Sequence, residues 1–254
     1  MTDQPFLSVV VPAYNEIARL PTTLHRIHVY CLGLEKDFEL LVVDDGSTDG
    51  TPGLVQSLQA EMHFLKLISY SRNHGKGYAI KEGVHHARGK YILFSDADLS
   101  TPIEEFSKFL PLLQQGIPIV IATRKHKEAK ILRHQPLWRE YMGKAFTSIT
   151  NAILGMHISD YTCGFKAFDH AVAKEIFGDQ KIEGWAFDAE ILFLAARRHY
   201  AIVEVPVQWI NAPQTKVRLV RDTISSFLSL LRIRWNELNG KYAQRAPDTT
   251  VRLG

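Results

Sequence analysis

Short apolar runs rich in Val and Ile alternate with longer amphipathic stretches through the first half of the chain. That alternation predicts a βα repeat around a mostly parallel, buried sheet. Strands are expected at Leu7 to Val11, Phe38 to Val43, Phe64 to Ser69, Tyr91 to Phe94 and Ile117 to Ala122. Helices fill the gaps at Ile17 to Cys31, Thr51 to Gln59, Lys76 to Ala87 and Ile103 to Gln114. The second half has less β signal and reads as an elaboration of the same α/β domain. Tyr200 to Val207 forms a late strand, Cys163 to Phe168 a turn into a short extended piece, and Trp185 to Glu190 opens a helix running through Arg197. The expected architecture is a mixed, mostly parallel sheet flanked by helices in a single domain over residues 1–240, with 241–254 a polar, flexible tail.

Two further stretches repeat apolar residues at helical spacing. One runs from Leu137 to Leu154 through Trp138, Tyr141, Met142, Ala145, Phe146, Ile149 and Ile153. The other runs from Arg218 to Leu238 through Ile224, Phe227, Leu228, Leu231 and Trp235, with Arg218, Arg221, Arg232 and Arg234 beside them. Such faces ordinarily pack on a core. The competing reading is docking at a bilayer surface, where Trp, Phe and Leu enter the interface and arginines meet anionic headgroups.

Composition narrows this picture only a little. A formal charge of +3 over 254 residues gives no case for nucleic acid as a partner. Cys31 and Cys163 cannot build a disulfide framework, and the start Met1-Thr2-Asp3-Gln4-Pro5 has neither a basic nor a long apolar leader region. A reducing cytoplasmic setting is expected. No stretch reaches the roughly 18 consecutive apolar residues of a membrane span, so any membrane contact is expected to be peripheral.

The chemistry collects where strands end. In open α/β sheets ligands bind beyond the carboxyl ends of the strands, and three of these ends are polar: Pro12-Ala13-Tyr14-Asn15-Glu16, Asp44 to Gly50, and Asp96-Ala97-Asp98. Strand alternation at the end of the run Tyr91 to Phe94 points Asp96 and Asp98 the same way and Ala97 the other. Two carboxylates without His or Cys companions suit Mg²⁺ or Mn²⁺, ions commonly completed by a substrate's phosphates. Asn73 to Gly77 precedes a helix whose backbone donors, with Lys76, could face an anion. Each piece alone also serves as a turn or helix cap; their convergence on one rim is the argument for a site.

Val9 to Glu16, Val42 to Asp49, Gly75-Lys76-Gly77 and Asp96-Ala97-Asp98, in this order, resemble the family 2 glycosyltransferases with the GT-A fold. Asp160 to Phe168, Trp185 to Glu190, Val205 to Trp209 and Lys216-Val217 look like the dolichyl-phosphate glucosyltransferase branch, next to the polyprenyl-phosphate mannosyltransferases. The resemblance implies inverting hexose transfer from a nucleotide-sugar donor to a polyprenyl-phosphate acceptor. UDP-glucose is the first donor and GDP-mannose the next. It further implies that Pro12, Tyr14, Glu16, Asp44, Asp45 and Lys76 hold the nucleotide, and that Asp96 and Asp98 meet the ribose and a divalent cation. Arg124, Arg133 and Arg139 would clamp the acceptor phosphate, a task that suits guanidinium forks. Asp188 stands where relatives with hydroxyl acceptors keep a base, and with Asp98 and Arg124 it makes up the expected catalytic set. Many prenyl-phosphate relatives carry Gln two places after the Asp-x-Asp; Ser100 stands here instead. Transfer to a soluble or saccharide acceptor, and a binding module without catalysis, are the competing functions.

Overall fold

The computed structural model describes residues 4–212 and 219–242. Lys216-Val217, Arg218 and residues 243–254 of the expected tail lie outside the described residues. The first half follows the predicted repeat: β1 (Leu7–Ala13), α1 (Leu20–Leu32), β2 (Phe38–Asp45), α2 (Thr51–Gln59), β3 (Leu65–Tyr70), α3 (Lys76–His86) and β4 (Tyr91–Ser95). A short 3₁₀ turn, Ile103–Glu105, leads into α4 (Phe106–Gln114) and β5 (Ile119–Thr123). The second half adds β6 (Lys130–Arg133), α5 (Leu137–Leu154), β7 (Phe165–Asp169), α6 (His170–Asp179), α7 (Phe187–Arg197), β8 (Ile202–Pro206), β9 (Gln208–Ile210) and α8 (Leu219–Leu238).

Seven strands form one sheet in the order β3-β2-β1-β4-β7-β5-β8, all parallel except β7, which runs antiparallel to both neighbours. Alternate residues of β1 face opposite layers. Val10 packs with α3, α6 and α7, whereas Val9 and Val11 pack with α1, α2 and α4. The inner strands β1, β2, β4 and β5 are therefore buried on both sides, which is why they read as largely unbroken apolar runs. The reversed β7 enters at the carboxyl end of β4, where Phe165 pairs with Ser95 and Lys166 with Phe94. Its first residues thus arrive at the rim where the other strands deliver their last.

A second, two-stranded sheet pairs β6 with β9 in parallel. It is moored to the rim by the Ile210 N–H, which donates to the Ser100 carbonyl at 2.8 Å. Neither strand was separately predicted, because four and three residues carry almost no alternation to read.

Three expectations are corrected here. The strand through Phe94 stops at Ser95, so strand alternation does not orient Asp96 and Asp98. A turn places them instead: the Leu99 N–H donates to the Asp96 carbonyl at 3.1 Å, and Leu99 takes a φ of 45°. The apolar stripe of α8 does not pack inward. Leu230 and Ile233 are buried, while Ile224, Phe227, Leu228, Leu231 and Trp235 are exposed, Trp235 at 63%. Tyr242, expected to belong to the flexible tail, is buried, and its hydroxyl donates to Glu190 Oε1 at 2.6 Å.

Candidate active site

The ends of β1 and β2 are laced together by their own polar side chains. Asn15, at a φ of 53°, accepts the Thr48 N–H on Oδ1 at 2.8 Å, and its own N–H donates to Ser47 Oγ at 2.8 Å. Pro12 lies in β1, Tyr14 is exposed just beyond it, and the buried Glu16 pairs with Arg19. Asp44 Oδ2 accepts from Ser69 Oγ at 3.0 Å and from the Ser47 N–H at 3.3 Å. Its other oxygen, Oδ1, is buried and has no hydrogen-bond partner among the described residues. A buried acceptor without a donor is costly.

Asp45 is used differently. Its oxygens accept from Asn73 Nδ2 at 2.9 Å, the His74 N–H at 2.8 Å and the Gly75 N–H at 2.8 Å. Burial raises its pKa, and those backbone donors pull it back down. Asp45 therefore shapes the loop before α3. With the Tyr78 N–H donating to the Glu183 carbonyl at 3.0 Å, three backbone donors around this helix start, those of His74, Gly75 and Tyr78, are engaged within the protein.

Lys76, at the first position of α3, reaches across to Asp96, with Nζ 2.6 Å from Oδ1. The ammonium stands 5.5 Å from the centre of the Trp185 ring. Burial alone would lower its pKa, but Asp96, Asp188 and Asp98 together hold it above its ordinary value. Asp98 Oδ1 accepts the Ser100 N–H at 2.9 Å. Burial, and after it the neighbouring Asp96, pushes the Asp98 carboxyl up, opposed by hydrogen bonds from Ser100 and by Lys76.

Asp188 stands in the first turn of α7 and is almost wholly buried. It pairs with Lys166, whose ammonium is fully buried and also donates to the Tyr161 carbonyl at 2.8 Å and the Cys163 carbonyl at 2.7 Å. Burial pushes the Asp188 carboxyl above the usual range, opposed by Lys166 and Lys76. The rim thus holds two ammonium groups, Lys166 and Lys76, among three carboxylates, Asp188, Asp96 and Asp98.

Arg124 follows β5, and most of its donors are engaged within the protein. Its fork closes on the buried Asp160, with Nε 2.7 Å from Oδ2 and Nη2 2.8 Å from Oδ1, and Nη2 also donates to Thr162 Oγ1 at 2.8 Å. The guanidinium lies 5.2 Å from the Trp209 ring centre in β9. Burial works to raise Asp160, yet Arg124 overrides it and holds the carboxyl well below the carboxylate range. Among the described residues only Nη1 of Arg124 is left without a hydrogen bond to the protein. Arg133 ends β6 and is exposed, and Arg139 lies in the first turn of α5.

Lys166 and Asp160 were quoted in the sequence motif but given no role. A Lys in a short strand signals burial only once β7 is known to lie between β4 and β5. Among the described residues no group of three or more His, Cys, Asp or Glu side chains could hold a metal ion unaided. A cation here would need oxygen ligands from a substrate or water.

A parallel sheet with one reversed strand and a carboxyl-end rim carrying an Asp-x-Asp defines the GT-A class of nucleotide-sugar transferase folds. The chain belongs to glycosyl transferase family 2, whose family model matches residues 8–177. It is 33% identical over 250 residues to the dolichyl-phosphate beta-glucosyltransferase of Dictyostelium discoideum, covering 94% of this chain and 76% of that one. To the Saccharomyces cerevisiae protein of the same name it is 33% identical over 260 residues, covering 94% and 77%. Among solved structures it is similar to glucosyl-3-phosphoglycerate synthase from Mycobacterium tuberculosis. The complex with phosphoglyceric acid aligns at a TM-score of 0.68 and 22% identity, covering 90% of this chain and 80% of that one. A complex of that enzyme with Mn²⁺, UDP-glucose and phosphoglyceric acid aligns at 0.65 and 21%, covering 90% and 79%.

Proposed function

We propose that this protein transfers glucose from UDP-glucose to a polyprenyl phosphate, with inversion at C1, at a membrane surface. The observation that carries the reading is the joining of an Asp-x-Asp rim to an exposed apolar face. Lys125, next to Arg124, donates from Nζ to the Gly143 carbonyl of α5 at 3.1 Å, which moors α5 to the carboxyl end of β5. Trp138 and Tyr141 of α5 are exposed, and α5 packs against α8, with its own exposed stripe. A water-soluble donor and a lipid acceptor need such a boundary. None of the helices described is long and apolar enough to cross a membrane, and an interfacial face serves without one.

On this reading the unpartnered Asp44 Oδ1 accepts the imide N–H of the uracil, with Pro12 and Tyr14 lining the nucleoside pocket. Glu16 and Asp45 hold its walls through their protein partners. Asp96 and Asp98 would be the protein ligands of a divalent cation, Mg²⁺ or Mn²⁺, for which hard carboxylate oxygens are suited. When bound, the cation stabilises the charge that develops on the departing diphosphate. Lys76 adds positive charge on the same side. Arg133 and Arg139, with Arg124 Nη1, meet the acceptor phosphate and offset the repulsion between two anions.

An oxygen of the acceptor phosphate attacks C1 of the glucose, the bond from C1 to the β-phosphate oxygen breaks, and UDP leaves with the electron pair. A phosphate monoester with a second pKa of about 6 is largely dianionic at neutral pH, so the attacking oxygen has no proton to lose. The test is to offer labelled UDP-glucose and labelled GDP-mannose separately, with Mn²⁺ or Mg²⁺, to a short-chain polyprenyl phosphate. Glucose label in the organic phase, abolished by chelation, is expected; label confined to water with both donors overturns the lipid acceptor.

A further inference from the structure

A phosphate acceptor brings no proton that a base must remove, yet the rim keeps a nearly buried carboxylate, Asp188, on a dedicated buried cation. Lys166 spends all three of its N–H donors there: one on Asp188 Oδ1, one on the Tyr161 carbonyl and one on the Cys163 carbonyl. The Phe94 ring lies beneath the ammonium, 5.3 Å from centroid to Nζ. An ammonium has three donors and no acceptor, so Lys166 is saturated and cannot pass a proton or turn toward a ligand. Asp188 is thereby fixed through one oxygen. Its second oxygen, Oδ2, takes no hydrogen bond among the described residues and is absent from the fully enclosed unpartnered atoms. The carboxylate lies close enough to Lys76 and Asp96 for each to act on its charge.

Resting on the function proposed above, we infer that Asp188 reads the donor sugar: its Oδ2 accepts a hydrogen bond from one glucose hydroxyl, and Lys166 is the positioning residue that holds it. The chemistry on the page favours an acceptor of this kind over a base. A dianionic acceptor phosphate gives a base no proton to take, whereas a hydroxyl reader needs only a fixed carboxylate with one open oxygen. Lys166 supplies the rigidity from β7, and α7 presents the oxygen. A hydrogen bond to a charged group discriminates strongly, because the ligand lacking the hydroxyl leaves a desolvated oxygen unpaired.

The test needs no acceptor. Calorimetry with Mn²⁺ compares the affinities of UDP, UDP-glucose and the four UDP-monodeoxyglucoses for the wild type, Asp188→Asn, Lys166→Arg and Lys166→Met. In the wild type, removal of one particular hydroxyl is expected to cost roughly 10-fold or more, the scale of a charge-assisted hydrogen bond. Asp188→Asn and Lys166→Met erase that single difference and leave UDP affinity unchanged, while Lys166→Arg restores part of it. Asp188→Asn is close in shape to the native residue and keeps an oxygen for Lys166, so the test survives if Lys166→Met folds poorly. Equal affinity for all four deoxy donors in the wild type, or an undiminished difference in Asp188→Asn, overturns the inference. Failure of the lipid-acceptor reading shows separately, as absent organic-phase label with sugar discrimination intact.

Discussion

Gly164→Ala is the sharpest single perturbation of the donor rim. Gly164 has no positive φ, so its backbone admits alanine and the effect of the substitution is steric. A Cβ there would stand 2.5 Å from Asp96 Oδ1 and closer still to Oδ2 and Cγ. Restoring a separation of about 3.5 Å moves the carboxylate by about 1 Å or more. The Gly164 backbone cannot yield cheaply, because its carbonyl accepts the Asp96 N–H at 3.1 Å beside the β4–β7 pairing. Asp96 can, since a third of its side chain is exposed; it swings out and gives up its 2.6 Å pair with Lys76. Stability should fall by no more than about 1–3 kcal/mol, the range for overpacking. Activity should fall further. A misplacement of about 1 Å costs on the order of 100-fold, or about 2.7 kcal/mol at 1.36 per decade. The assay is kcat/KM for UDP-glucose with a short-chain polyprenyl phosphate, alongside Mn²⁺-dependent UDP affinity and Tm. Gly178→Ala in α6, where a Cβ meets nothing within 4 Å, is the control and should leave kcat/KM and UDP affinity unchanged. If Gly164→Ala retains kcat/KM within about threefold and binds UDP normally, Asp96 is not where the donor is held.

Asp160→Ala strands the Arg124 guanidinium and should cost about 3–5 kcal/mol in urea unfolding, the usual cost of breaking a buried pair from one side. The same pair sets an acid limit. Asp160 is depressed in the folded state, so its contribution is fully present above the unfolded pKa of about 3.9 and is lost as pH falls below it. In Asp160→Asn that part of the stability profile between about pH 4 and pH 2 should flatten; an unchanged slope would show that other groups set it. Trp138→Glu with Leu228→Glu places charge on the exposed face of α5 and α8 and should abolish co-sedimentation with anionic vesicles while leaving UDP affinity intact. Retained sedimentation would remove this face from the membrane. Gly77→Ala puts a Cβ 2.6 Å from Phe187 Cβ and 2.8 Å from the Glu183 carbonyl, so it should lower Tm by several degrees; an unchanged Tm would refute that close packing of α3 on α7.

The sheet was legible because its inner strands are buried on both faces, and burial writes itself as apolar runs. The rim was legible for a related reason, since polar residues clustered where those runs stop. What the sequence hid depends on pairing across distance. Asp96 and Asp98 were found, but by an argument from strand alternation that fails: the strand ends at Ser95 and a turn sets them. Lys166 and Asp160 look like ordinary members of a motif until β7 enters reversed beside β4 and Arg124 folds over to Asp160. Asp45, chosen as a ligand contact, turns out to accept three protein donors. The stripe of α8 had the period of a core face, and periodicity says that a face exists without saying what covers it.

The most direct measurement is the structure of the product formed from UDP-glucose and a short-chain polyprenyl phosphate carrying ¹⁸O on its phosphate. The account predicts a β-linked glucosyl phosphate in which an acceptor ¹⁸O bridges to C1, seen as a single anomer by ¹H NMR and as an isotope shift by ³¹P NMR. An α-linked product, a bridge oxygen without label, or a diphosphate product would contradict inverting attack by the acceptor phosphate at this site.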